Sequence, residues 1–210
     1  MKLSLSLLYA MSIGDGYVFS RKDKRSNTIS SGLIISHSIK QKEYIEFKRD
    51  LLVSHFGGVV NIHEFNNNNY PGLRMSKTNP IFRKIHKNLY KDGKKFISRE
   101  ILNTFGKKAL AIWYMDDGGM GVKRRDGKIH AFELFLNTHI SKEDNQIIID
   151  YFNEVWDIKF SSVKNKGHYR LRCGTREGRK FISLVEPYIL ESLRYKIDPL
   201  LTRPNSIKNV

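Results

Sequence analysis

Leu110-Ala111-Ile112-Trp113-Tyr114-Met115-Asp116-Asp117-Gly118 decides the fold, because an earlier stretch has the same form: Leu8-Tyr9-Ala10-Met11-Ser12-Ile13-Gly14-Asp15-Gly16. Both are apolar runs closed by Asp-Gly. Their acids, at positions 15 and 117 of 210, stand about half a chain apart. That spacing predicts one polypeptide built from two equivalent halves, residues 1–104 and 105–210, each delivering one carboxylate.

Composition narrows the partner. Lys and Arg number 37 against 21 Asp and Glu, a net charge of +16. Charge of that sign and size favours a polyanion, since each neutralised phosphate releases counterions on binding. No basic amphipathic helix or lipidation motif points to a membrane surface, and no uncharged stretch is long enough to span one. The single cysteine, Cys173, excludes an internal disulfide and a multi-cysteine zinc site, so a reducing, intracellular compartment is expected. The histidines show no tight ligand spacing such as HExxH. Met1-Lys2 opens an apolar run that passes directly into Gly14-Asp15-Gly16 without a polar cleavage region, so no secretory leader is expected.

Periodicity lays out the halves in parallel. The first reads as a helix over 3–14, strands over 17–23 and 29–38, and a helix over 40–55 with Tyr44, Phe47, Leu51 and Leu52 at helical spacing. Strands over 59–65 and 73–77 follow, joined by a polar turn, then a helix after Asn79-Pro80 and a basic link over 91–95. The second reads as a motif helix over 105–115, strands at 119–125 and 128–138, and a helix from 141 to 155 opened by a capping box at Ser141. Strands at 158–164 and 168–174 and helices at 177–185 and 187–194 complete it. Local echoes support the duplication. His37 follows Asp15 at the distance at which His139 follows Asp117, and Leu73-Arg74-Met75-Ser76 resembles Leu171-Arg172-Cys173-Gly174.

On a helix, Leu7, Ala10 and Gly14 share a face whose small residues admit a second helix. Ile112 and Asp116 hold the corresponding places in the second copy, so the contact is expected to be asymmetric. Helices crossing there would set Asp15 beside Asp117 at two negative helix ends. A hard divalent cation, Mg²⁺ first, relieves that repulsion and takes phosphate oxygens as further ligands.

The paired segments resemble the two motifs of the LAGLIDADG homing endonucleases in their single-chain, two-repeat form. The resemblance of Leu110–Gly118 followed by Gly119 is close. The first copy departs from it, with Ser12-Ile13 where the name-giving motif has Ile-Asp. The resemblance implies an α+β fold of two pseudo-symmetric αββαββα repeats, motif helices at the centre and a saddle-shaped antiparallel β-sheet surface for DNA. It implies a monomer that cleaves both strands of double-stranded DNA across the minor groove. The motif's eighth position, Asp15 and Asp117, is then the metal-binding carboxylate, and the backbone carbonyls of Gly14 and Asp116 are further candidates for the metal site. Mg²⁺ is the implied cofactor, with Mn²⁺ able to substitute. A basic residue near each centre is also implied: Lys95 and Lys196, with Lys94 and Arg194 as alternates.

Recognition then falls to the strands. Alternation pairs Arg170 with Arg172 and Lys22 with Lys24. Asn61, His63, Arg74, Ser76, Lys123, Arg125, Asn137, Lys164 and Lys166 are further DNA-binding candidates, for phosphates more than for base edges. The leading function is a site-specific endonuclease of a mobile intron or intein-like element, acting on a long asymmetric target. The alternatives are an RNA-splicing maturase that takes its own intron RNA as partner and a non-cutting DNA-binding regulator. Retention of Asp15, Asp117 and a basic residue in each half favours the nuclease. The Lys-, Ile- and Asn-rich composition points to an AT-rich host: a phage, a low-GC bacterium or an organelle.

Overall fold

The computed structural model describes residues 4–22, 27–67 and 70–201, and the chain divides into two compact units, Met1–Phe96 and Ile97–Val210. The first unit comprises α1 (Leu5–Ile13), β1 (Gly16–Lys22), β2 (Ile29–Ser38), α2 (Lys42–Phe56), β3 (Ile62–Asn67), β4 (Tyr70–Thr78), α3 (Ile81–Leu89) and a short hairpin, β5 (Tyr90–Lys91) and β6 (Lys94–Lys95). The second comprises α4 (Arg99–Asn103), α5 (Lys107–Asp117), β7 (Gly118–Arg125), β8 (Lys128–Leu136), α6 (Lys142–Trp156), β9 (Ser161–Asn165), β10 (His168–Gly174) and α7 (Thr175–Val185). It closes on two 3-10 helices, Glu186–Tyr188 and Glu191–Lys196, where the sequence predicts one further helix. The division falls at 96/97 instead of 104/105 because α4 stands ahead of the motif helix in the second unit.

Each unit is an antiparallel four-stranded sheet with helices packed on one face. The strand orders, β1-β2-β4-β3 and β7-β8-β10-β9, are the same. In the first unit the buried side chains alternate along the strands (Val18, Leu33, Ile35, Leu73, Met75) and meet Tyr44, Ile45 and Leu52 of α2 and Phe82, Ile85 and Leu89 of α3. In the second, Phe132, Leu134, Leu136, Leu171 and Cys173 meet Ile148, Tyr151 and Phe152 of α6 and Phe181 and Val185 of α7. The motif helices differ from these amphipathic ones. Ser6–Ile13 and Ala109–Met115 are buried at every position, as helices that are apolar on all sides must be. Among the described residues no helix is long and apolar enough to cross a membrane.

Local chemistry sets the joints. Ser141 accepts from the Asp144 amide and so caps α6 as its sequence predicts. The basic link is a hairpin whose turn residues, Asp92 and Gly93, have φ of 50° and 74°; Asp126-Gly127 and Lys166-Gly167 make the same kind of turn.

Register corrects the local echoes. Gly16 pairs with Ile35 and Gly118 with Leu136, so the counterpart of His37 is Thr138. His139 lies one residue further, exposed and left-handed. Ile35 pairs with Met75 and Leu136 with Leu171, which makes Arg74 the counterpart of Arg170 and displaces the Leu-Arg echo by two residues. The following helices agree, since Phe82, Ile85 and Leu89 have the spacing of Gly178, Phe181 and Val185. A two-residue slide preserves strand alternation, so the echo survives in sequence without being structural.

The motif glycines are required by space. A Cβ on Gly16 would lie 2.3 Å from the Met11 carbonyl oxygen, and one on Gly118 would lie 2.4 Å from that of Tyr114. Alanine at either position is expected to destabilise the protein by about 1–3 kcal/mol, read as a lower urea midpoint. Burial pushes the Cys173 thiol up to about 12. The folded protein should therefore resist thiol reagents at pH 8 and react fully only in denaturant. Because the ordinary thiol value is about 8.5, the unfolded chain loses that proton first. This group's contribution to stability is thus present below the ordinary value and falls as pH rises towards the folded one.

Candidate functional site

In the first unit, α1 ends where Gly14 N donates to Ala10 O, and the last carbonyls of the helix need donors. Lys95, on β6, provides them. Its Nζ donates to the carbonyl oxygens of Ile13 (3.0 Å), Gly14 (2.9 Å) and Gly16 (2.9 Å), three acceptors for the three N–H groups of an ammonium. Its charge also faces the negative end of the helix dipole. Asp15 projects from within this clamped turn with its side chain 38 % exposed. Behind it, His37 Nδ1 lies 3.4 Å from Asp15 Oδ2, and Lys48 Nζ lies 3.1 Å from His37 Nε2. An open cleft of about 640 Å³ extends from Asp15 and His37 past Ser36 and Lys40 to Phe65 and Tyr70.

The second unit repeats the clamp with its own residues. Lys196, buried in the last 3-10 helix, donates to the carbonyl oxygens of Met115 (2.5 Å) and Asp116 (3.2 Å), the counterparts of Ile13 and Gly14. Tyr114 Oη donates to Lys196 O (2.8 Å), tying the lysine's own backbone to α5. The Asn137 amide and side chain both donate to Asp117 O, at 3.0 and 2.9 Å. Trp113 Nε1 donates to Asp117 Oδ2 at 3.1 Å and orients that carboxylate. In each unit an oxygen-rich helix end bearing the motif aspartate, Asp15 or Asp117, suits a hard divalent cation, which prefers carboxylate and carbonyl oxygens. The alternates Lys94 and Arg194 are placed differently: Lys94 is exposed, and Arg194 pairs with Glu186 at 2.7 Å.

The sheet face away from the helices carries most of the remaining candidates. In the first unit, strand alternation puts Arg21 with Phe19, Arg74 with Ser76, and His63 with Phe65 on that face, His63 opposite Arg74. Arg74 lies 4.4 Å over the Phe65 ring and donates to Ser36 Oγ. Lys22 has the parity of Val18, so it sits on the helix side at the strand end, and Arg21 takes the outward place instead. Lys24 lies outside the described residues. Asn61 is exposed just before β3. In the second unit Lys123, Arg170 and Arg172 face outward around Glu133, which pairs with Lys123 at 2.6 Å and Arg172 at 2.8 Å. Arg170 stacks 3.7 Å over Phe135, as its counterpart Arg74 does over Phe65, and its partial burial lowers its pKa. Lys164 has the opposite parity, Arg125 flanks a hairpin turn and Lys166 lies within one. Asn137 is engaged with Asp117 O and does not belong to the open face. Sequence reading missed Lys48 and Arg21. Lys48 has a legible signal, since it falls on the apolar stripe of Tyr44, Leu51 and Leu52.

Comparison with known proteins gives a consistent answer. The sequence model described as the LAGLIDADG DNA endonuclease family matches residues 6–181. RecA of Mycolicibacterium chitae is 30% identical over 199 residues, covering 89% of this chain and 44% of that protein; the chain thus spans less than half the length of the RecA relatives it matches. A probable intron-encoded DNA endonuclease 3 of Mycosarcoma maydis is 29% identical over 101 residues, 48% of this chain and 69% of that one. Among solved structures, the homing endonuclease I-WcaI bound to its DNA recognition sequence matches with a TM-score of 0.75 at 24% identity, over 94% of this chain and 88% of that chain. I-DmoI in complex with DNA and Mn matches at 0.54 and 16%, over 86% and 94%.

The clamps make a stability prediction independent of any substrate. Lys95→Met and Lys196→Met keep the aliphatic stem but leave helix carbonyls without their donor. Each is expected to cost about 1.5–3 kcal/mol, the range for charged hydrogen bonds, with the larger loss at buried Lys196. Chemical denaturation of the two variants measures this.

Proposed function

Since the chain belongs to the LAGLIDADG DNA endonuclease family, in its single-chain, two-repeat form, we propose that it makes a double-strand break in a long asymmetric DNA target by divalent-metal-dependent phosphodiester hydrolysis, with Mg²⁺ as the physiological ion and Mn²⁺ able to replace it. The observation that carries this reading is the repeated construction of the two centres. In both units an aspartate stands at the end of a buried helix whose final carbonyls are held by a distant lysine. Asp15 and Asp117 are the residues that would hold the ion. Lewis-acid polarisation of the phosphate and an acidified water are what the ion supplies when bound. Lys95 and Lys196 keep the carboxylate-bearing turns rigid and put a positive charge beside the place where the phosphodiester gains negative charge.

The sheet faces supply the DNA contacts. Arg21, His63, Arg74 and Ser76 in one unit, and Lys123, Arg170 and Arg172 in the other, neutralise phosphates and reach base edges. Different side chains on equivalent strands favour two different half-sites. The RecA relatives extend far beyond the region they share with this chain, and other relatives are named as intron-encoded endonucleases. Both facts support a nuclease carried by a mobile element inside a host gene.

The test is cleavage of the uninterrupted host gene with Mg²⁺. Wild type should give one linear double-strand product. Asp15→Asn and Asp117→Asn should each abolish double-strand cutting while retaining target binding in Ca²⁺. Double-strand cutting by either variant at the wild-type rate would overturn the assignment of that carboxylate.

A further inference from the structure

A ring nitrogen stands near Oδ2 of each motif carboxylate, and the two rings differ in chemistry. In the second unit the donor is the Trp113 indole on the motif helix itself. The counterpart of Trp113 in the first motif is Met11, which has no donor. There His37 comes from β2, with Nδ1 3.4 Å from Asp15 Oδ2. An indole N–H is fixed, whereas an imidazole presents a donor at Nδ1 only when the proton sits there.

Lys48 addresses that requirement. It is fully buried on α2, with Nζ 3.1 Å from His37 Nε2 and 4.3 Å from the Tyr44 ring centroid. Packing does not explain it. The buried stripe Ile45, Lys48, Leu51, Leu52 recurs in α6 as Asn145, Ile148, Tyr151, Phe152, so the same fold accepts isoleucine at this place. The counterpart of His37, Thr138, donates to Asn145 Oδ1 at 2.7 Å, a neutral pair. A buried amine carries a desolvation cost that an aliphatic residue does not, and at this place on the helix stripe the unit that lacks the indole donor has Lys48 where the other has Ile148.

We propose that Lys48 is a positioning residue for the Asp15 centre: its ammonium donates to His37 Nε2, holds the imidazole as the Nδ1–H tautomer and thereby fixes the orientation in which Asp15 meets a divalent cation. An ammonium has donors only, so Nε2 must accept and the ring proton must lie on Nδ1. This inference rests on the reading of Asp15 as a metal-binding carboxylate.

Two measurements on the intact protein test it without a DNA substrate. Long-range ¹H–¹⁵N NMR of the imidazoles should show His37 as the Nδ1–H tautomer in wild type and as Nε2–H in Lys48→Met. Titration with Mn²⁺, followed by the ion's electron paramagnetic resonance signal, should show binding weakened about 10-fold in Lys48→Met, the lower end of the range for outer-sphere partners. Thermal stability should be retained, since methionine fills the same volume without a buried charge. An Nε2–H tautomer in wild type overturns the proposal, as does unchanged Mn²⁺ binding in a variant whose tautomer has switched. Should Lys48→Met fail to fold, the wild-type tautomer and Lys48→Arg, which keeps a donor and should keep the tautomer, decide the matter. Asp15→Asn separates the two levels. If it leaves Mn²⁺ binding intact, the metal-ligand reading itself falls; if it removes a site that Lys48→Met leaves unaffected, only the role of Lys48 does.

Discussion

A helix buried along its whole length cannot leave its last carbonyls to water, and the rest of each unit is organised around supplying them with donors. Ser6–Ile13 of α1 and Ala109–Met115 of α5 are buried, so the carbonyls that close these helices draw on protein donors. In both units one lysine from the far end of the unit's own sequence reaches back to those carbonyls. The β5–β6 hairpin in one unit and the final 3-10 helix in the other are the means of delivering it. Local structure, helix-end electrostatics and the placement of the aspartate are therefore one problem, solved by long-range closure of the chain.

The two solutions are alike in backbone and unlike in side chains. Gly14 and Asp116, Met11 and Trp113, His37 and Thr138, Lys48 and Ile148 occupy corresponding places with different chemistry. Steric demands are shared instead: both Asp-Gly glycines abut the carbonyl of a motif-helix residue, and neither tolerates a Cβ. Selection for folding thus accounts for the common positions. The four differing pairs named above sit beside a motif aspartate, touch its carboxylate or lie behind it.

Much of this was legible in the sequence, for physical reasons that also explain the rest. The motif helices announced themselves by continuous apolarity ended by Asp-Gly, and Lys95 and Lys196 followed from the resemblance those motifs carry. Strand register was not legible, because a two-residue slide leaves alternation unchanged and made Arg172 resemble the counterpart of Arg74 when Arg170 is. The parity error at Lys22 has the same origin: in a run of adjacent cations, only pairing with β2 decides that Arg21 points outward. Asn137 read as a surface residue, yet it is engaged by a backbone carbonyl that no periodicity reveals. Lys48 stood in plain view on an apolar stripe, and its meaning depends on His37, which reaches it from another element.

The acid on the second unit's outward face has a thermodynamic corollary. Glu133 already neutralises part of the charge of Lys123 and Arg172 in the free protein. Fewer condensed cations are therefore displaced when this face meets a polyphosphate than its count of basic residues implies. On the proposed reading of this face as a DNA contact, it exchanges ionic attraction for two side chains held in position beforehand, and its salt dependence is shallower than its count of basic residues implies.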